Sequence, residues 1–521
     1  MKKWTILACM ILGLTGCLSV AAAGSESTNT VASSIASFGP NDLIKEDGSL
    51  WLWGEDRTVP TQVPELTDVQ AYFGPLAVKK DRSVWELDDS NPTLAINVKP
   101  VEELTNTVGV FSLGNRIVAI NGDGTLSSSI LSSDRRSHSP YVLDSGIDNV
   151  SAVEGYYEGN QKSSWSRFLF LKKDGTVWTT HNDFSTFEPI NNLTDVVQIT
   201  YNYALKKDGT VWTWPMPSYD TPDDEIDVSK VSASPLSALS DIHSIKFDRY
   251  SGLAIDGQAH LWFWGATITG SSDGTTFYTQ ASPILLTGIN DVTDAFIVER
   301  SIIVLTRDGK VYSTSIEQET LPPNSKFELI ASGIRVIKGG GRFVIMQKND
   351  GTLWGWGVNK HGELGCGDLE FSHQGIVPVQ KPISVSLNGE NVTFTNGVIT
   401  RNGQNFIPLR SLFEKLGAVI SFKVDSTSAP YSGKDKPAGT MINTITKKIT
   451  IVQSDADKPA LTINIDAISG ETSVNNAAVK LPTLPFIVNG MMYLPLRFIS
   501  EQLGAYVEWL PQEERISISM K

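Results

Sequence analysis

Cysteine is scarce in this chain: three residues in 521, at Cys9, Cys17 and Cys366. Two of them fall in or beside an apolar N-terminal run, so no intrachain disulfide is expected in the mature protein. The fold then has to stand on its hydrophobic core. Histidine is also sparse, with six scattered residues and neither H-x-x-x-H nor H-E-x-x-H spacing, which removes the zinc-protease helix from consideration. No G-x-S-x-G and no P-loop occurs. Past the first 24 residues no apolar run is long enough for a membrane helix. Basic residues are outnumbered 43 to 57, for a net charge of −14, yet from Pro382 onward 13 basic face 12 acidic residues. The acidic excess therefore lies in the first 381 residues. Such a surface repels phosphate backbones, so nucleic acid is not an expected partner.

The chain begins MKKWTILACMILGLTGCLSVAAAG. Two lysines, an apolar stretch and small residues read as an export signal over residues 1–23. Leu14-Thr15-Gly16-Cys17 also fits a bacterial lipobox, which would end the signal before Cys17 and place a lipid there. That lipid would be the only membrane attachment. Residues 24–34 read as a flexible Ser/Thr-rich tether, and an extracytoplasmic location is expected by either route.

LKKDGTVWT occurs twice, at 171–179 and 205–213. An Asp-Gly pair between alternating apolar residues predicts a two-residue type I′ hairpin tip. Degenerate copies sit at Asp47, Asp81, Asp123, Asp256, Asp308 and Asp350, making eight tips at intervals of 34 to 52 residues. That period fits four-stranded propeller blades with variable loops. Trp51 and Trp53, Trp212 and Trp214, Trp262 and Trp264, and Trp354 and Trp356 are i, i+2 pairs that share a strand face. Trp51, Trp178, Trp212, Trp262 and Trp354 are expected to be structural plates between blades. The alternative is a carbohydrate-stacking surface.

WGWGVNKHGELGCGD, residues 354–368, resembles the repeat of the regulator of chromosome condensation (RCC1) family through Trp356, Gly357, Asn359, Gly362, Leu364, Gly365 and Gly367. The resemblance covers about residues 35–380 and implies a seven-bladed propeller, whereas eight tips suggest eight blades or a partial terminal one. The remaining residues, 382–521, are internally duplicated. IPLRSLFEKLGAVISF at 407–422 returns as LPLRFISEQLGAYVEW at 494–509, an offset of 87. Each copy reads as strands around one short helix, starting after Pro408 or Pro495 and stopping at Gly417 or Gly504. Arg410 with Glu414, and Arg497 with Glu501, have i, i+4 ion-pair spacing. They are read as structural pairs on the helix surface or partly buried, in preference to a carboxylate-binding site. The duplicated motif resembles the copper amine oxidase-like N-terminal domain of bacterial surface proteins, a non-catalytic module. No histidine follows His373, so an imidazole copper site is not expected here.

The fold class expected is thus mainly β: a seven- or eight-bladed RCC1-like propeller followed by a small α+β domain. Asp223-Asp224-Glu225 could pair carboxylates but reads as a solvated charge run, and Cys366 reads as a small packed residue. With no catalytic, cofactor or metal residues assigned, the expected function is a non-enzymatic extracytoplasmic binding or scaffolding protein of the bacterial cell envelope. It would present a propeller face to a protein or cell-wall polysaccharide. The alternatives are a carbohydrate-active enzyme with its site at the propeller mouth, or a secreted enzyme inhibitor, since one secreted β-lactamase inhibitor is similar to this propeller family.

Overall fold

A computed structural model describes residues 35–88, 94–133, 137–159, 164–181, 183–216, 231–248, 250–271, 274–430, 441–455 and 458–520. The export signal with Cys17, the 24–34 tether and the Asp223-Asp224-Glu225 run lie outside these residues.

Residues 35–378 form eight four-stranded antiparallel sheets, each built from four consecutive strands: 35–62, 69–105, 107–144, 150–189, 196–235, 242–286, 292–331 and 334–378. Alternation along each strand puts apolar side chains on both sheet faces, and each face packs on a neighbouring sheet. Phe111 and Val118 of the third sheet share a core with Phe168 and Phe170 of the fourth. The fifth and sixth join through Leu205, Val211, Ile245 and Trp264. Phe38, Leu43, Trp51 and Trp53 of the first sheet pack on Phe343, Ile345 and Leu353 of the eighth. That last core closes the ring, so the propeller has eight blades, not the seven that the resemblance implies. Each fully buried Leu or Phe contributes roughly 1.5–3 kcal/mol, while a lone hairpin is marginal in water. Shared blade interfaces therefore hold the ring together.

The hairpin tips differ from the expected type I′ geometry. At Lys172 the backbone N–H bonds the Thr176 carbonyl at 2.9 Å, and Gly175 N–H bonds the Lys172 carbonyl at 2.9 Å. Of the Asp-Gly pair only Gly175 has positive φ, at 81°. This is a three-residue loop, a type I turn followed by a left-handed residue. Asp174 prefers it because its carboxylate accepts both the Thr176 N–H (2.9 Å) and the Thr176 hydroxyl (2.7 Å). The Gly175 carbonyl then takes Val196 N–H from the next blade at 3.0 Å, a link repeated from Val150 to Gly124 and from Ile242 to Gly209. In the sixth blade the tip lies two residues later than the Asp256-Gly257 pair suggests. Ala259 takes the left-handed position, with φ 62°, and Asp256 stands where Lys172 stands in the fourth blade.

The C-terminal domain is an interleaved duplication. Equivalent strands of the two copies pair antiparallel, with Ile407 opposite its counterpart Leu494 and Phe406 and Pro408 opposite Pro495 and Tyr493. The first copy's Ser384–Leu387 adds in parallel to the second copy's Arg515–Met520. The second copy's Glu471–Val474 and Ala477–Lys480 extend the sheet begun by the first copy's Ala418–Pro430. Only the second copy makes a regular helix, Leu496–Gln502. In the first, where a helix was also expected, residues 409–417 form successive turns, with Leu416 N–H shared between Leu412 and Phe413 carbonyls. Leu412, Phe413 and Leu416 still reach the same core as Ile499 and Leu503.

Candidate functional site

In a propeller with strands in sequential order, the three-residue tips share one face with the blade-to-blade crossings. The connections from third to fourth strand share the other. These are long in most blades: residues 131–141, 182–187, 214–233, 316–327 and 358–376. The sixth blade instead extends its paired strands Leu261–Ser271 and Gly274–Leu286. At its base Tyr250 and Phe277, both nearly half exposed, pack ring to ring with centroids 4.7 Å apart. This face carries the surface that varies from blade to blade, which is the usual place for recognition on a rigid scaffold.

Of the tryptophans nearest the tips, Trp178, Trp212 and Trp262 pack against the cores shared by neighbouring blades, as plates do, but at their rim. Trp178, Trp212, Trp262 and Trp354 are only partly buried. The Trp212 indole N–H donates to the Thr210 hydroxyl at 3.0 Å, and the Lys206 ammonium lies 3.9 Å from the ring centroid. Trp178 bonds Thr176 and Trp354 bonds Thr352 likewise, while Trp262 donates to the Asp256 carboxylate at 3.0 Å. Lys348 lies 3.5 Å from the Trp354 centroid. With hydroxyl, indole and ammonium already engaged, these rings clip the tips. Trp51 is buried in the core shared by the first and eighth blades, and lines a cavity with Ile383, Val385 and Val392 of the C-terminal domain. Deep interior positions fall to Trp53, Trp214 and Trp264. Trp214 donates to Tyr156 Oη of the preceding blade at 2.9 Å.

Ionisable groups collect on the first strands of several blades and at the start of the first blade's second strand, Asp42–Lys45. Lys246 of the sixth blade bonds Asp294 of the seventh, and burial holds its ammonium below the usual value. Burial pushes the Asp42 carboxyl up to about 7, against a smaller opposing pull from a Gly39 backbone bond and the Lys338 charge. Glu154 is raised to about 8 for the same reason.

The glycine-rich stretch is the loop that closes the ring. Glu363 carbonyl accepts Trp53 Nε1 at 2.9 Å and Asn41 Nδ2 at 3.2 Å. His361 carbonyl takes Asp56 N–H, and Thr58 carbonyl takes Gly367 N–H, both at 2.8 Å. Gly362 runs so close to the first blade that a Cβ there would lie 2.4 Å from the Arg57 carbonyl oxygen. The other seven tips link to their successors through backbone bonds, with Lys173 Nζ adding a bond to the Asp123 carbonyl in one of them.

The C-terminal domain covers this seam. Asn396, fully buried, accepts Thr58 N–H and donates to the Thr58 hydroxyl, each at 3.0 Å. Gly397 N–H donates to Thr61 Oγ1 at 2.9 Å. Val59 joins a small core with Ile399, Phe406, Val488 and Tyr493. In consequence Arg57–Gln62, the outer strand of the first blade, is almost wholly buried, while the outer strands of other blades are largely exposed.

The two i, i+4 pairs of the duplication stand away from these contacts. Arg410 lies 3.8 Å from Glu414, and Arg497 lies 3.5 Å from Glu501. The partly buried setting allowed for them is corrected to a fully surface one. Glu414 and Glu501 are exposed, as are Arg410 and Arg497. Glu414 is also not on a regular helix, because residues 409–417 form turns, whereas Glu501 sits on the helix Leu496–Gln502. Water screens both carboxylates, so neither pair is a major structural support.

Within the closing loop the chain folds Cys366, Asp368 and His373 together. Asp368 Oδ1 lies 3.2 Å from His373 Nε2 and 3.6 Å from Cys366 Sγ, and Sγ is 3.5 Å from Nε2. Sequence reading missed this group; its signal is a Cys-x-Asp-x4-His spacing in the complete repeat copy. Burial, with the neighbouring Asp368 charge, pushes the Cys366 thiol up to about 12, so the free side chain is a neutral thiol and a poor nucleophile.

These features define a closed eight-bladed propeller carrying a docked accessory domain. The copper amine oxidase N-terminal domain family matches residues 386–518. Solved structures similar to the chain include yeast RCC1 (Prp20) bound to Kap60, at 13% identity, covering 71% of this chain and 91% of that one with a TM-score of 0.38. Prp20p from Saccharomyces cerevisiae matches at 12% identity over 68% of this chain and 89% of its own, TM-score 0.38. Human WBSCR16 matches at 17% identity over 64% and 92%, TM-score 0.39. No curated protein matches the sequence. The propeller assignment rests on the eight sheets and their shared cores. Among the described residues no helix is long and apolar enough to cross a membrane.

Proposed function

We propose that the protein is a non-enzymatic, extracytoplasmic binding or scaffolding protein of a bacterial cell envelope. The face with the third-to-fourth strand loops would engage a protein or cell-wall polysaccharide. The observation behind this reading is the division of labour in the ring: short three-residue tips on one face, and third-to-fourth strand connections of widely differing length on the other. Export rests on the N-terminal sequence, with a lipid on Cys17 or cleavage before Gly24. N-terminal sequencing of the mature protein and palmitate labelling of wild type and Cys17→Ala distinguish these two.

The test of binding is capture of envelope components by wild type and by a variant carrying Tyr250→Ser and Phe277→Ser, alongside thermal melts of both. Weakened capture with an unchanged melt supports the reading. Equal capture by a full set of loop variants defeats it. One observation favours an enzyme as the second reading: burial raises the carboxyls of Asp42 and Glu154, as a general acid requires. A polysaccharide-cleavage screen that detects turnover in wild type, lost in Glu154→Gln, would establish it.

A further inference from the structure

The contacts among Cys366, Asp368 and His373 converge on a single point. A relay of hydrogen bonds uses different atoms for successive partners. Here one nitrogen, one sulfur and one oxygen form a closed triangle with edges of 3.5, 3.6 and 3.2 Å. Zinc bonds of about 2.3 Å to sulfur, 2.05 Å to nitrogen and 2.1 Å to oxygen at tetrahedral angles give edges of about 3.6, 3.6 and 3.4 Å. The triangle is already the face of a zinc tetrahedron. All three side chains are partly buried, and their donor types suit a borderline divalent cation.

The surroundings are those of a ligand set. Fully buried Asn359 donates from Nδ2 to Asp368 Oδ1 at 3.0 Å and to its carbonyl at 3.2 Å, and lies 3.5 Å from Cys366 Sγ. Asn359 thus orients the carboxylate and offers an N–H to a thiolate. His373 presents Nε2 to Asp368 and Cys366, with Nδ1 on the side of the Glu370 carboxylate 3.8 Å away.

We propose that Cys366 Sγ, Asp368 Oδ1 and His373 Nε2 bind one zinc ion, with water in the fourth position, as a rivet for the ring-closing loop. On binding, the sulfur–zinc bond forms and the thiol proton leaves to solvent; no electrons change hands. The site is tied to both neighbours of the loop. Cys366 carbonyl accepts Gln380 Nε2, which also bonds the Thr400 carbonyl, and Arg401 reaches the Gly367 carbonyl. Zinc would therefore brace blade eight, blade one and the C-terminal domain together. This site sits in the 358–376 connection, one of the third-to-fourth strand loops on the face proposed for partner binding.

The experiment uses full-length protein stripped with a chelator and titrated with zinc chloride by calorimetry, and with cobalt(II) by absorption. One zinc per chain is expected, with at least tenfold weaker binding in Cys366→Ser, Asp368→Asn and His373→Gln. The cobalt form should show a near-ultraviolet thiolate-to-metal band, present in Cys17→Ser and absent in Cys366→Ser. Wild type with no stoichiometric zinc, or Cys366→Ser retaining both zinc and band, overturns the proposal. Should Cys366→Ser not fold, alkylation of Cys366 in wild type decides. Slowing of at least tenfold by one equivalent of zinc supports the site, and an unchanged rate overturns it.

Discussion

Tryptophans that recur in one sequence pattern diverge in their energetic roles. Trp214 is 2% exposed and its N–H is satisfied across a blade boundary. Replacing it with Ala leaves a large cavity and is expected to cost about 3–5 kcal/mol. Trp354 sits part-exposed under Lys348 with its N–H on Thr352, so Trp354→Ala is expected to cost only about 1 kcal/mol. Urea denaturation of the two variants checks the ranking, and equal losses would contradict it. Spacing alone could reveal the shared strand face. It could not reveal the hydroxyl and ammonium that draw the tip-proximal rings outward, because those contacts depend on the loop conformation.

At the scale of the hairpin, the tip aspartates have a common electrostatic consequence. Asp123, Asp174, Asp208 and Asp350 are held below the ordinary carboxylate value by the Thr hydroxyl and N–H two residues on. In Asp308 the Lys310 ammonium leads and the value falls to about 2. Depressed acids stabilise the fold above their unfolded value and lose that contribution as pH falls through the folded one. The melt should therefore drop between about pH 4 and pH 2, and a double variant, Asp174→Asn with Asp208→Asn, should show a shallower drop. An identical pH profile would refute the assignment. The C-terminal helices give a contrasting lesson. Sequence symmetry predicts two, but only the second copy has a regular one, since residues 409–417 place the same three apolar side chains in the core through turns. The i, i+4 spacing correctly brought Glu414 near Arg410 and Glu501 near Arg497, yet it carried no information on exposure. Each of these surface pairs should contribute no more than about 0.5 kcal/mol, measurable by double-mutant cycles.

For the molecule as a whole, Asp42 and Glu154 act opposite to the tips. Their folded values of about 7 and 8 exceed those of an unfolded carboxylate. Their contribution is complete below the unfolded value and is lost as pH rises through the folded ones. Stability should thus decline from about pH 4 toward pH 8, less steeply in Asp42→Asn. The seam between the ring and the C-terminal domain supplies a second test. Asn396→Ala strands the buried Thr58 N–H and hydroxyl, and is expected to cost about 2–3 kcal/mol by calorimetry. The propeller, though not its blade number, and the duplication were legible because each repeats a local pattern: Asp-Gly before a strand, or PLR before an apolar turn. The exchange of strands between the copies and the seam at Asn396 were not. Each depends on which distant segments meet, and no local pattern records that.

The seam also sets an order in time. Lys45 in the first blade bonds the carbonyl of Glu513, 468 positions further along the chain, and pairs with Glu514 at 3.0 Å. The strand Ser384–Leu387 needs Arg515–Met520 beside it. While the chain is being made, the edge of the first blade has no cover until residues 396–406 and 488–493 exist. A bare edge strand is a template for wrong pairing, and such distant contacts form slowly. Refolding should therefore end in a slow step reported by Trp51 and Trp53, and a chain stopped after residue 381 should self-associate through its oldest blade.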